Sequence, residues 1–160
     1  MQYRTIDSPI GPLLVAGDHE GLRFLLFGKG RTAAKPKSDW EPDRGTLKDP
    51  VKQLSAYFAG KLRDFDLSLA PEGTTFQRSV WGELQRIPYG ETISYGELAR
   101  RLGNPKAVRA VGLANGSNPI AIVIPCHRVI GSNGSLVGYG GGLPVKQALL
   151  ALERGQKRLL

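Results

Sequence analysis

Ile120-Ala121-Ile122-Val123-Ile124-Pro125-Cys126-His127-Arg128-Val129-Ile130 is the stretch on which the reading of this chain turns. Its first five residues are apolar and predict a short buried strand over 120–124. Pro125 then breaks the regular backbone, and the sole cysteine of the 160-residue sequence follows, next to one of its two histidines. A thiol reacts as its thiolate, so a working cysteine needs a base or a positive field close by, and His127 is the candidate base. Neighbours on an extended strand point to opposite faces, so contact between the two requires a tight turn or a bridging water. The plain alternative is that Cys126 is a small buried apolar residue.

Downstream of this stretch, Val129-Ile130 and Leu136-Val137 flank Ser132-Asn133-Gly134-Ser135. Asn-Gly between apolar pairs predicts a hairpin. Gly138-Tyr139-Gly140-Gly141-Gly142 lacks both the dinucleotide-binding and the P-loop spacing. It reads as backbone that comes close to a ligand, or as a plain flexible loop. A last helix starts at Pro144, carries Val145, Leu149 and Leu152 on one face, and stops at Gly155. Glu153 lies beside those apolar positions. Facing inward it needs a partner, and His127 is available; facing outward it is solvated.

Upstream, Ser94-x-x-Glu97 opens a short helix through Leu102, with Gly103 as its stop. Asn104-Pro105 caps the next helix from about Lys106 to Gly116. The pair predicts a helix-turn-helix, and the hairpin after it completes a winged helix. In the second helix Ala107, Ala110, Gly112, Ala114 and Gly116 are small, and Arg109 is the long cation among them. Such a helix suits close apposition to DNA by shape, or tight packing on another helix. Before the pair, Phe76, Val80, Leu84 and Ile87 form one apolar helix face, ended by Pro88-Tyr89-Gly90. The first part reads as β then α. Strands at 13–16 and 22–27 turn through 17–21. Residues 28–44 are polar and predict an exposed loop. Asp49-Pro50 caps a helix carrying Val51, Leu54, Phe58 and Leu62. Phe65, Leu67 and Leu69 alternate as a further short strand, and 70–74 is a linker. Domains 1–72 and 73–160 follow.

One cysteine excludes an internal disulfide, and with His19 and His127 alone beside it a Cys/His zinc site is not expected. The lone thiol fits a reducing compartment such as the cytoplasm. No window approaches the roughly 18 apolar residues of a membrane span, and the N-terminus has no apolar signal core. The net charge of +8 is uneven: residues 1–74 hold 11 Lys and Arg against 10 Asp and Glu, whereas 75–160 hold 11 against 4. A basic C-terminal half points to a polyanion, nucleic acid first, although basic charge also serves solubility.

Ile124-Pro125-Cys126-His127-Arg128-Val129 resembles the active-site signature of the O6-alkylguanine-DNA alkyltransferases, the methylated-DNA–protein-cysteine methyltransferases. Ile93-Ser94-Tyr95, Gly103-Asn104-Pro105-Lys106, Arg109-Ala110-Val111-Gly112, Asn118-Pro119, Gly141-Gly142-Leu143 and Lys146 stand around it in the family's order and spacing. The resemblance covers about residues 76–153; before that, Ser8-Pro9-Ile10-Gly11 matches loosely. It implies an α+β protein, with a small ribonuclease-H-like N-terminal α/β domain followed by a winged-helix C-terminal domain.

It further implies repair of O6-alkylguanine, and of O4-alkylthymine, in double-stranded DNA. The base is flipped out and its alkyl group passes irreversibly to Cys126, one turnover per molecule. His127 acts as base through a water, Glu153 orients it, Asn118 braces the active-site turn, and Tyr95 protonates the departing guanine. Arg109 fills the gap left in the duplex, with Ala107, Ala110, Gly112 and Tyr95 also against DNA. Val129, Tyr139, Gly140 and Gly141 line the base pocket. No cofactor or metal is implied, and a monomer is expected. Gly140 departs from members with Ser there. Competing readings are a DNA- or lesion-binding regulator without transfer and a cysteine hydrolase, which adjacent Cys and His fit poorly.

Overall fold

The computed structural model describes residues 1–29, 33–136 and 138–155. Among them, strands β1 (Gln2–Ile6), β2 (Leu13–Asp18), β3 (Gly21–Phe27) and β4 (Glu41–Pro42) form one sheet in the order β3-β2-β1-β4, antiparallel except for β1 with β4. The hairpin expected from the two apolar runs is β2–β3. β1 has half-buried and exposed residues without clean alternation, which is why its sequence carried no strand signal. The loop expected over 28–44 is in part structural: Glu41 and Pro42 pair with Gln2 and Tyr3, and the Ala34 amide donates to the Phe27 carbonyl at 3.0 Å. Gly30, Arg31 and Thr32 lie outside the described residues.

Helix α1 (Lys48–Phe58) begins two residues earlier than Asp49-Pro50 suggests. Its cap is Leu47, and Asp49 sits in the first turn, where a carboxylate suits the helix dipole. Asp43 Oδ1 accepts from the amides of Gly45 and Leu47 and turns the chain into the helix. The helix ends at Phe58, so Leu62 packs against the core from beyond it. The strand expected at 65–69 is not formed. Leu22 makes a single bridge with Leu69, its backbone bonding Ser68 and Ala70 at 2.9 Å each.

Helix α2 (Thr75–Leu84) opens on a full capping box unnoticed in the sequence: Thr74 Oγ1 accepts from the Gln77 amide and Gln77 Oε1 from the Thr74 amide. Val80, Leu84 and the following Ile87 are buried as their spacing demands, but Phe76 is 38% exposed. Ser94 caps α3 (Tyr95–Arg101), taking the Glu97 amide at 3.0 Å; the Glu97 carboxylate pairs with Arg100 and Arg101 instead, so only half of the expected box exists. Helix α4 (Val108–Gly116) starts two residues beyond Lys106, after a turn closed by Ala107 on Asn104. α3 and α4 form the helix-turn-helix, with α2 behind α4, where Trp81 Nε1 donates to the Ala114 carbonyl at 2.9 Å. Gly103 and Gly155, with φ of 75° and 74°, sit past the ends of α3 and of the last helix, α5 (Leu143–Glu153).

Between α4 and α5 one expectation fails, and another falls partly outside the described residues. Residues 120–124 are not a strand. They form a buried turn, with the Ile124 amide on the Ile120 carbonyl at 3.0 Å and Ile122 at φ 72°. An apolar run reads the same whether it is buried as strand or as turn, and here the packing chose the turn. β-Branched side chains resist positive φ, so the surroundings must hold Ile122 there. They do: Ile120, Ile122 and Ile124 are buried, β3 takes the Pro119 carbonyl and Ala121 amide through Leu25, and Asn118 bonds both ends of the turn. The turn of the hairpin expected from Asn133-Gly134 is formed, with the Gly131 amide on the Ser135 carbonyl at 2.8 Å and the Gly134 amide on the Gly131 carbonyl at 2.9 Å. Its first arm, β6 (Val129–Ile130), pairs instead in parallel with β5 (Ile93–Ser94), because those residues lie beside the start of α3. Val137, in the second arm, lies outside the described residues.

One apolar cluster runs from Leu13 through Tyr57 and Trp81 to Leu152 and joins the two halves of the chain. No helix among the described residues is long and apolar enough to cross a membrane.

Asn118→Ala removes the donor to the Ile124 carbonyl (2.8 Å) and the acceptor of the Ile120 amide (3.0 Å). Each orphaned buried group costs about 1–3 kcal/mol. Urea denaturation is expected to show a loss in that range or above, with Asn118→Asp, which keeps the acceptor, losing less.

Candidate active site

Pro125 ends the buried turn, and Cys126–Arg128 form one turn of 3₁₀ helix, with the Arg128 amide on the Pro125 carbonyl at 3.0 Å. This turn resolves the difficulty of adjacent Cys and His, since side chains no longer alternate as on a strand. Cys126 faces a cavity of about 470 Å³, while His127 turns into the protein.

The end of α5 brings Glu153 over His127. Glu153 is the inward, paired carboxylate: Oε2 lies 2.7 Å from His127 Nε2 and 3.0 Å from Arg128 Nη2, and Oε1 lies 2.7 Å from Arg128 Nε. Tyr57 of α1 donates its hydroxyl to Oε2 at 2.5 Å, and the Gly90 amide reaches Oε1 at 3.4 Å. Arg128 also donates Nη1 to the Ile87 carbonyl at 2.7 Å.

Burial works to raise the Glu153 carboxyl, but His127 and Arg128 outweigh it and hold it well below the usual carboxylate range. Burial lowers His127 below its ordinary value, with Glu153 opposing. The pair is therefore carboxylate and neutral imidazole. The proton must sit on Nε2 to bond Glu153, so Nδ1 keeps the lone pair, and it has no hydrogen-bond partner among the described residues. Burial pushes the Cys126 thiol up, against a hydrogen bond from Asn118 and the charge of Lys146. At neutral pH the thiol holds its proton, and the nearby base is free to accept one.

The cavity is walled by Tyr95, Gly112, Asn115, Gly116 and Asn118 on one side, and Gly138, Tyr139 and Gly140 on another. Tyr95 is kept protonated by burial and by the neighbouring Cys126. Gly112 faces the Tyr95 ring, its Cβ position lying 3.9 Å from it, an ordinary contact. The Tyr139 hydroxyl is buried without a partner among the described residues. Two residues of the expected base pocket do not line the cavity. Val129 is buried and its carbonyl accepts from Lys146 Nζ at 2.7 Å. Gly141 packs on Phe27, where a Cβ would come within 2.9 Å of the ring. Arg109 and Ala110 are exposed on α4 and Ala107 is half-buried before it, none of them on the cavity wall. Leu113 on the same helix is 74% exposed.

Sequence reasoning missed several lining or supporting residues. Leu26, Phe27 and Ala34 bring the N-terminal half into the cavity wall, and Phe27 meets Tyr139 edge-on with centroids 5.5 Å apart. No local pattern announces them. Asn115 is buried with Oδ1 unpartnered among the described residues; a polar residue in a helix of small ones was the available signal. Arg128 stood in the quoted signature, and a buried arginine beside a buried glutamate is a pairing the sequence permitted. No group of His, Cys, Asp and Glu among the described residues is arranged to hold a metal ion.

A helix-turn-helix unit carrying a thiol on a cavity with a His–Glu pair behind it, joined to a small α/β unit, defines a class of two-part proteins. The family model described as 6-O-methylguanine DNA methyltransferase, ribonuclease-like domain, matches residues 1–71, and that of the same family's DNA binding domain matches 75–155. Proteins named methylated-DNA–protein-cysteine methyltransferase are similar over nearly the whole length: 56% identity in Methanosarcina acetivorans, covering 96% of this chain and 98% of that one, and 55% in Mycobacterium tuberculosis, covering 98% and 94%. The solved OGT of M. tuberculosis in complex with DNA superposes with a TM-score of 0.89 at 54% identity, covering 98% and 94%. The O6-methylguanine-DNA methyltransferase of Pyrococcus kodakaraensis, at 23% identity and a TM-score of 0.66, shares the fold. The chain belongs to the 6-O-methylguanine DNA methyltransferase family, with a ribonuclease-like N-terminal and a DNA-binding C-terminal part.

Because the Glu153 pKa is depressed on folding, its contribution to stability is present above the unfolded value of about 4.3 and lost as pH falls below it. Glu153→Gln is expected to lower stability at pH 7 by about 3 kcal/mol, in the range for breaking a buried pair. It should also flatten the decline between pH 5 and 3, read as urea midpoints against pH. A variant whose decline parallels the parent would remove Glu153 from the acid response.

Proposed function

We propose that this protein repairs O6-alkylguanine in double-stranded DNA, and O4-alkylthymine by the same chemistry, by moving the alkyl group onto Cys126. The observation that carries the reading is the Cys126 thiol on a cavity of about 470 Å³, followed in the same 3₁₀ turn by a buried His127 whose Nε2 lies 2.7 Å from the Glu153 carboxylate.

Sγ attacks the alkyl carbon on the side opposite O6. The S–C bond forms as the C–O bond breaks, and its electron pair leaves with guanine. The thiol proton passes through a water to His127 Nδ1, the face that Glu153 leaves unprotonated. Tyr95, protonated and on the cavity wall, supplies the proton that neutralises the departing base. Asn118 holds the turn before Cys126 in place. Atoms and electrons balance without a further reactant, so no cofactor takes part. The thioether is not cleaved by water, and each molecule acts once. Such a thiol must stay reduced, which suits the cytoplasm, and a monomer suffices because one chain holds every group used.

A base inside a duplex must leave the stack, at a cost of a few kcal/mol. The exposed face of α4, with Arg109 as its long cation and Ala107, Ala110 and Gly112 as small neighbours, suits close contact with DNA, Arg109 taking the place of the flipped base. Tyr139 and Gly140, on the cavity wall, meet the base there; Val129 and Gly141, expected beside them, act from behind that wall, Val129 by holding Lys146 and Gly141 by packing on Phe27. In this division of labour, residues 73–160 bind DNA and accept the alkyl group while 1–72 form the ribonuclease-H-like domain behind them.

The deciding experiment is intact-protein mass after mixing with a duplex holding one O6-methylguanine. The expected result is a gain of one methylene mass, absent in Cys126→Ser. Retained binding of lesion DNA without mass change would make the protein a lesion binder instead.

For Arg109→Ala we expect the single-turnover rate on duplex to fall about tenfold or more, because flipping loses its support, while the rate on free O6-alkylguanine base stays within about twofold. Equal losses on both would end the intercalating role.

A further inference from the structure

Glu153 Oε2 takes two strong hydrogen bonds from opposite halves of the chain. His127 Nε2 lies 2.7 Å away, and the Tyr57 hydroxyl, 96 residues distant in sequence, lies 2.5 Å away. Tyr57 is fully buried in α1, and no step described above uses it. We propose that Tyr57 is a positioning residue for the acceptor cysteine's base: by sharing Glu153 Oε2 with His127, its hydroxyl sets how basic His127 is. This rests on His127 serving Cys126 as base.

The physical argument concerns how one carboxylate oxygen divides its charge. With Tyr57, His127 and Arg128 Nη2 all on Oε2, each proton feels part of the oxygen's pull; with the Tyr57 hydroxyl gone two remain, and the His127 proton feels more of it. Burial and the charge of Glu153 push the Tyr57 phenol well above its usual pKa, so it remains a donor. Without it, Glu153 draws harder on His127 Nε2–H and stabilises the imidazolium, which cannot accept the thiol proton.

Every other charged or titratable group facing this cluster is unchanged when the Tyr57 hydroxyl is removed. Arg128, from the 3₁₀ turn, and Lys146, from α5, oppose protonation of His127 by their charge. Tyr89, ahead of α3, sits under Arg128 at 5.7 Å and Arg63 at 5.3 Å. Cys126 is the turn's remaining titratable group. The Tyr57 ring also packs on Phe58, Phe65 and Tyr89 at 5.5, 5.4 and 6.3 Å between centroids, contacts that phenylalanine keeps.

The test uses the full chain as Tyr57→Phe and, separately, with 3-fluorotyrosine placed at position 57, whose more acidic hydroxyl is a stronger donor in the same ring. The first readout is the proton NMR shift of His127 Nε2–H at pH 7. We expect it to move downfield in Tyr57→Phe and upfield with fluorotyrosine. The second is single-turnover transfer from an O6-methylguanine duplex against pH. Tyr57→Phe should lose severalfold in rate at pH 6.5 and recover the parent rate at pH 8.5. A stationary proton, or a rate lowered by one factor at every pH, would make Tyr57 a packing residue and overturn the proposal. Should Tyr57→Phe fail to fold, the direction of the fluorotyrosine shift decides alone. A shifted proton in a protein that transfers nothing, parent included, would leave the coupling standing and overturn the alkyl-transfer reading instead.

Discussion

One buried carboxylate organises this molecule. An ionised carboxyl group removed from water is stable only if its lone pairs are filled and its charge is met. Glu153 achieves this with four residues from three places: Tyr57 in α1, the Gly90 amide before α3, and His127 and Arg128 in the 3₁₀ turn. The donors have to arrive from separate elements, so the carboxylate specifies how α1, the 3₁₀ turn and α5 meet. A shift in any of them strands a charge.

The same constraint produces the chemistry. Burial lowers His127, and Arg128 meets the charge of Glu153 with two hydrogen bonds, so His127 is left neutral, with its proton on Nε2 and its lone pair on Nδ1. Cys126, kept protonated by burial, sits one residue away on a turn that lets the two side chains serve different spaces. The thiol looks into the cavity and the imidazole into the protein. The N-terminal half contributes on both sides of that divide, through Tyr57 behind the base and Phe27 in the cavity wall.

Much of the fold was legible locally. The β2–β3 hairpin, the apolar faces of α2 and α5, the Ser94 cap and the glycine stops depend on short-range rules, and they appear within a residue or two of their expected places. The errors share one cause. Residues 120–124 and 65–69 carry apolar patterns that show they must be buried or half-buried, but pattern alone does not choose between strand, turn and extended coil. For 120–124 the choice went to a turn because Asn118 and the edge of β3 supply its backbone partners. The strand β1, with little pattern of its own, exists because β2 and β4 flank it.

At the site, the sequence by itself determined that the sole cysteine stands beside a histidine after a buried apolar run. The roles proposed for Cys126, His127, Tyr95, Arg109, Asn118 and Glu153 came from the resemblance of their order and spacing to the family's, not from residue types alone. The tertiary structure alone decided that Glu153 faces inward, that His127 holds its proton on Nε2, that Val129 and Gly141 stand outside the cavity while Leu26, Phe27 and Asn115 line it, and that Tyr57 completes the carboxylate's shell. The reason is physical. Hydrogen bonds to a buried charge come from wherever packing brings a donor within about 3 Å, and a partner 96 residues away leaves no local mark on the chain.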